Sequence, residues 1–197
     1  GTLMALDPVV SQAVGAQDAV GVRRGVQRGL LLALAVSLFV AVASLGSGVA
    51  FDLLRQPASV VPLARDFVQL SIPGLAPFFM FVVLRQSLQA MLVVRPVLLA
   101  VVVGNVVNLA ANWVLIFGHL GAPPLGVAGS ALSTVLARWS MFVTLVVAAW
   151  PTVGPHLRGS WRASARAAPL WRMLVIGFPI GMHWFFEAGA FALATLM

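Results

Sequence analysis

Residues 97–117 read VLLAVVVGNVVNLAANWVLIF, an uncharged run interrupted by three asparagines, and its length decides the fold class. At about 1.5 Å per residue a helix of this length crosses the roughly 30 Å hydrocarbon core of a bilayer, where every backbone N–H and C=O must be satisfied within the segment. Gly1–Gly15, Leu30–Phe51, Phe67–Leu84, Val127–Trp150 and Met173–Met197 share its apolar character. Together the runs predict an all-α polytopic membrane protein with about six transmembrane helices. The first run opens on Gly1 and the last stops at Met197, so both are read as incomplete spans.

Composition agrees with this class. The chain is 61% hydrophobic and 9% charged, with a mean hydropathy of +1.03, against roughly 25% charged residues in soluble domains. Twelve arginines face four Asp and one Glu, for a formal net charge of +7 without any lysine. The arginines cluster in short segments between apolar runs, where they act as topology signals, so nucleic acid is not a predicted partner. Cysteine is absent, which excludes disulfides and thiolate chemistry. HExxH, GxSxG, P-loop and Cys/His metal patterns do not occur, and no enzyme is predicted.

The connections are assigned to residues 16–29, 52–66, 85–96, 118–126 and 151–172, and alternate ones share a side of the membrane. One side carries Arg23, Arg24, Arg28, Arg85, Arg95, Arg158, Arg162, Arg166 and Arg172, and the other only Arg55 and Arg65. Arginine excess marks the cytoplasmic face, so segments 16–29, 85–96 and 151–172 are predicted to be cytoplasmic. The longest of these places Arg158, Arg162 and Arg166 at four-residue spacing beside Trp161 and Trp171, which fits either a short surface helix or a solvated linker. It is also the predicted boundary between residues 1–150 and 173–197.

Polar residues inside the spans are the candidate functional groups. Asn105, Asn108 and Asn112 fall within roughly 60° on one helix face, as the lining of a polar cavity or as interhelical hydrogen-bonding groups. Glu187 lies about 21 Å along its helix from Met173. A carboxylate at that depth must face protein or water, and it can exchange a proton or coordinate sodium. The basic residue within that span is His183, one turn earlier, and His183 and Phe186 are cavity-lining candidates beside Glu187. Asp7 and Gln12 in the first run are further candidates, Asp7 next to a helix-bending Pro8. Pro73 and Pro77 lie on one face of the third run and predict a bend. Gly126, Ser130 and Thr134 repeat at four-residue spacing beside Gly129 and Ser133, the ordinary pattern for helix packing, with Ser133 and Thr134 as hydroxyl candidates near the asparagines. His119 falls in an outward loop and is expected to be solvated.

Taken in order, ALDPVVSQAVGAQD, VQRGL, PGLAPFFMFVVLRQSLQA, RP, GNVVNLAANWVLIFG, LGVAGSALSTVLARW and GFPIGMHWFFEAGAFALATLM resemble the multidrug and toxic compound extrusion (MATE) family, in its bacterial sodium- or proton-coupled branch. The resemblance implies that residues 1–150 are helices two to six of a first six-helix bundle whose first helix is missing. Residues 151–172 would be the cytoplasmic connector and 173–197 a truncated first helix of the second bundle. It further implies a multi-pass protein of the bacterial plasma (inner) membrane that exports cationic or amphipathic small molecules by Na⁺ or H⁺ antiport with alternating access. No cofactor is implied beyond the coupling ion, and the missing remainder of the transporter is a partner. Glu187 matches the family's helix-seven acid, the one candidate for binding Na⁺. Asn108 and Asn112 match helix-five positions at the first bundle's cation or proton site, the second of which is Asp in some relatives and an amide here. Thr134 is similar to a helix-six hydroxyl near that site. Two other readings stand beside this one: a lipid or polysaccharide flippase of the related superfamily, and a noncatalytic membrane scaffold.

Overall fold

A computed structural model describes residues 6–46, 48, 60–165, 168, 170, 171, 173–175, 177–179, 182 and 186. Their regular elements are helices: α1 (Leu6–Gly15), α2 (Ala19–Leu45), α3 (Val61–Ser71), a 3₁₀ turn (Ile72–Gly74), α4 (Leu75–Ala90), α5 (Arg95–Phe117), α6 (Val127–Ala148) and α7 (Trp150–Leu157). Four rods, Ala19–Leu45, Val61–Ala90, Arg95–Phe117 and Val127–Ala148, are long and apolar enough to cross a membrane. The chain is therefore a multi-pass helical membrane protein, although most of the predicted sixth span lies outside the described residues.

The helices extend beyond their apolar runs. Most of 16–29 is the beginning of α2, and most of 85–96 is the end of α4 or the start of α5, not loop. Charge ends a hydrophobic run without ending a helix, because arginine is a good helix former and its stem packs along apolar surface. Between α1 and α2 the chain needs only Ala16–Asp18, and Asp18 Oδ1 caps α2 by accepting from Val20 and Gly21 N–H at 3.1 and 2.9 Å. Of the two readings of the Arg158, Arg162 and Arg166 spacing, a surface helix or a linker, the helical one does not hold at Arg158 and Arg162. The helix present is α7, and Arg158 and Arg162 follow it in bends and a turn. Gly159, at φ +106, takes the chain out of helical space. Arg166 lies outside the described residues.

The chain divides into two compact units. The first comprises Gly1–Ala33, Val82–Val93 and Pro151–Met197. Its core includes the fully buried side chains of Leu6, Val10, Val26, Val83, Leu84 and Leu88. Close packing of α2 depends on glycine: a Cβ on Gly25 would press on Val10, and one on Gly29 would meet Leu6 and Val83.

The second unit comprises Leu34–Phe81 and Val94–Trp150, and its centre is the antiparallel hairpin of α5 and α6. Pro96 opens α5 in its first turn, and Gly118, left-handed at φ 74, closes it. Leu125 N–H then bonds back to Leu115 O at 2.9 Å, which fixes the return. The small-residue seam is Gly129, Ser133 and Ala137, all buried, so Gly129 and Ser133 of the expected small residues pack here while Gly126 is exposed and Ser130 and Thr134 are half-buried. A Cβ on Gly129 would collide with the Leu115 carbonyl, so only glycine permits this backbone approach. Farther along, Gly104 of α5 receives Met141 of α6.

Candidate functional site

Prolines shape the second unit where α3 meets α4. The rod tightens to 3₁₀ at Ile72–Gly74, with Ile72 N–H bonding to Gln69 O and Leu75 N–H to Ile72 O. Pro77 has no N–H to offer Pro73 O, the carbonyl four residues earlier. Trp139 Nε1 of α6 donates to that carbonyl at 3.2 Å. Beside it Gly74 lets α6 approach, since a Cβ there would lie 3.2 Å from the Val135 side chain and 3.1 Å from Arg138 Cδ.

This approach sets Arg138, the twelfth of the 22 residues of α6, near the middle of a membrane-spanning helix. Its guanidinium carbon stands 5.0 Å from the centroid of the Phe78 ring. The side chain borders a cavity of about 210 Å³ shared with Ser44, Phe67, Ser71, Leu75 and Thr134. Ser71 Oγ donates to Phe67 O at 2.7 Å and Thr134 Oγ1 to Ser130 O at 3.0 Å, so both hydroxyl protons are bound within their own helices. Their oxygen lone pairs remain available to the cavity. Among the described residues the cavity combines acceptor oxygens, apolar walls and the Arg138 cation.

On α5 the asparagines separate. Asn112 Nδ2 donates to Asn108 Oδ1 at 3.1 Å, joining two half-buried amides one turn apart. Asn112 Oδ1 is itself buried and has no hydrogen-bond partner. Such an oxygen carries a desolvation penalty until it accepts a proton donor or a cation. Asn105 is exposed and turns its amide onto Val101 O at 2.8 Å. Ser133 is buried and donates to Gly129 O at 2.7 Å, so neither it nor Thr134 bonds an asparagine. The structure thus brings Asn108 and Asn112 together, seats Thr134 at the cavity, and leaves Asn105 and Ser133 to their own helices.

Gln12 is exposed on α1, and Phe186 is helical and exposed. Asp7 lies within α1, but its side chain, like Glu187 and His183 altogether, lies outside the described residues. Among the described residues no group of three or more His, Cys, Asp or Glu side chains could hold a metal. Among the described residues the oxygens that could meet a hard cation include amide, hydroxyl and backbone groups, and on α5 Asn112 Oδ1 is buried without a hydrogen-bond partner. His119 is exposed, as expected for a loop residue, and it also has ordered partners. It stacks on Trp113 with centroids 4.1 Å apart, and its Nδ1 lies 2.8 Å from Trp113 O.

One polar cluster escaped the sequence reading. In the first unit Gln27 is fully buried; its Nε2 donates to His156 O at 3.2 Å and its Oε1 accepts from Ser164 Oγ at 2.7 Å. Both polar ends of one side chain thus hold the segment after α6 against α2. The His156 imidazole is pushed below the ordinary histidine value of 6.5, first by burial and then by the nearby Arg23 cation. Treating 16–29 as a loop hid Gln27, which on a helix shares a face with the buried Leu30, three residues later.

A MatE family profile matches residues 1–114. "Multidrug resistance protein NorM" of Vibrio parahaemolyticus is 27% identical over 205 residues, covering 100% of this chain and 44% of that protein. "Probable multidrug resistance protein NorM" of Bacillus cereus is 31% identical over 208 residues, with the same coverage of 100% and 44%. The chain spans less than half the length of these relatives. Among solved structures, one described as the inward-facing conformation of a multidrug resistance MATE family transporter of the MOP superfamily matches 91% of this chain and 40% of its own, with a TM-score of 0.74 and 19% sequence identity. That likeness establishes a shared fold.

Proposed function

Because the chain belongs to the MatE family, we propose that this protein is a secondary active exporter of cationic or amphipathic small molecules, driven by Na⁺ or H⁺ antiport through alternating access. The observation that carries this reading is the Asn108–Asn112 pair, which leaves the buried Asn112 Oδ1 open for a cation or a proton donor in a membrane-spanning helix. Relatives whose names specify multidrug resistance support the substrate class. In this proposal Glu187 supplies the carboxylate of a second ion site, Thr134 lines the first bundle's cavity, and further helices complete the second bundle. Residues 1–150 belong to the first bundle, 151–172 connect the two, and 173–197 open the second. The arginine-rich segments face the cytoplasm of a bacterial plasma membrane.

The test is substrate-dependent Na⁺ or H⁺ flux by the full-length protein in proteoliposomes. Export of ethidium against an imposed ion gradient, lost on Glu187→Gln, is the expected result. Export at the wild-type rate by that variant would remove the carboxylate from the mechanism. A second reading, a flippase for lipid or polysaccharide carriers, draws on a single observation, the Arg138 cation in the middle of α6.

A further inference from the structure

We infer that the Arg138 cavity is a binding site for an anionic group, a carboxylate or phosphate, carried on an apolar body. The inference deepens the export reading and rests on it for its biological meaning, since it assigns an amphipathic substrate its anionic end.

A guanidinium in the middle of a membrane-spanning helix is costly unless something compensates it. The compensation present is the π face of Phe78 at 5.0 Å, and among the described residues no carboxylate is paired with Arg138. The π contact occupies one face of the guanidinium and none of the in-plane N–H directions that match a carboxylate or phosphate in a bidentate fork.

The surroundings select for the same ligand. Phe67, Val68, Ile72 and Leu75 supply apolar wall. The Ser71 and Thr134 protons are engaged by Phe67 O and Ser130 O, so these hydroxyls do not compete with Arg138 for the role of donor. A ligand ammonium group would meet a like charge in a low-dielectric setting. An anionic group would meet the Arg138 cation, with its apolar body against the hydrophobic wall.

The guanidinium is also held in place. Trp139 anchors α6 to Pro73 O, and Gly74 admits the Arg138 stem at close range. A cavity of about 210 Å³ is smaller than the roughly 300–1,000 Å³ of sites that enclose whole drug-sized molecules, so it takes an anionic head and not an entire substrate.

The experiment uses the full-length protein in nanodiscs of neutral phosphatidylcholine, with a fluorescent naphthoate and its methyl ester as probes. Equilibrium binding is read without a gradient, so failure of the export reading in flux assays would not disturb it. The wild type is expected to bind the naphthoate about ten- to a hundredfold more tightly than the ester, as one charge-assisted pair allows. Arg138→Gln is expected to erase that preference. Arg138→Lys, which keeps the charge without the fork, should retain part of it, and it decides the matter if the glutamine variant does not fold. Adding phosphatidylglycerol distinguishes the ligand's source. Displacement of naphthoate by the lipid supports the site and assigns it to a lipid phosphate, whereas displacement by soluble carboxylates alone supports the site and assigns it to a substrate. Equal binding of acid and ester by the wild type, or an unchanged preference in both Arg138 variants, overturns the inference.

Discussion

Trp139 Nε1 donates at 3.2 Å to the Pro73 carbonyl, the group that Pro77 leaves without its helical partner. A proline that breaks the ladder of one helix is thereby answered by a side chain of another, which ties the 3₁₀ turn to α6 near the Arg138 cavity. Within a bilayer no water competes for such a carbonyl.

Trp139→Phe keeps the ring and removes the donor, and it is expected to lower stability by about 1 kcal/mol. Pro77→Ala restores an N–H that can take the Pro73 carbonyl. In a double-mutant cycle on thermal unfolding of the full-length protein, the cost of Trp139→Phe should shrink in the Pro77→Ala background. Equal costs in both backgrounds would show that the indole bond is energetically idle.

Gly129→Ala places a methyl group against the Leu115 carbonyl, which cannot move without shifting α5. Overpacking of this kind costs about 1–3 kcal/mol. Gly104→Ala instead meets the flexible Met141 side chain and should cost less. Chemical denaturation of the two variants in the same detergent ranks them.

Asn112→Leu removes both the amide donated to Asn108 and the open Oδ1. On the proposed coupling role of that oxygen, its loss is expected to reduce Na⁺- or H⁺-coupled flux by about tenfold or more. Asn105→Ala should have the smaller effect, because that amide is exposed and bound to its own helix. Flux per correctly folded molecule in proteoliposomes makes the comparison.

The segment 150–165 is expected to loosen in acid. His156 is held below its ordinary value of 6.5 by burial and by Arg23, so the folded state binds its proton less readily than the unfolded chain. Its contribution is therefore fully present above 6.5 and is lost as pH falls through the depressed folded value. Hydrogen exchange across residues 150–165, followed from about pH 8 to about pH 5, should show protection falling on the acid side. His156→Gln is expected to flatten that profile. Identical profiles for wild type and variant would remove His156 as the cause.

Gln27 gives a separate measure of the same contact. Ser164→Ala leaves the buried Gln27 Oε1 without its donor at a cost of about 1–3 kcal/mol. Faster limited proteolysis in the segment following α7 would register it.

The membrane class, the cores of the central spans and the irregularity at Pro73 and Pro77 were legible in the residues alone. Each depends on local quantities: the length of an apolar run, the missing proline N–H, the periodicity of one helix. The helix ends at Ala19 and Ala90 were missed because arginine is compatible with a helix that leaves hydrocarbon. Tertiary packing decided the rest. The choice between the Gly126–Ser130–Thr134 face and the Gly129–Ser133–Ala137 face depended on where the Leu115 backbone lies, and helical spacing favours both equally. Three asparagines on one stripe became a bonded pair and a solitary residue because only Asn108 and Asn112 turn their amides toward each other. Gln27 and Ser164 are 137 positions apart, and their bond exists only because folding closes that distance. Arg138 is an isolated cation when read in sequence and the donor of a cavity when α3, α4 and α6 meet. Solvent and backbone chemistry act on every residue where it stands in the chain, whereas a site is a coincidence of distant side chains that only the folded backbone can arrange.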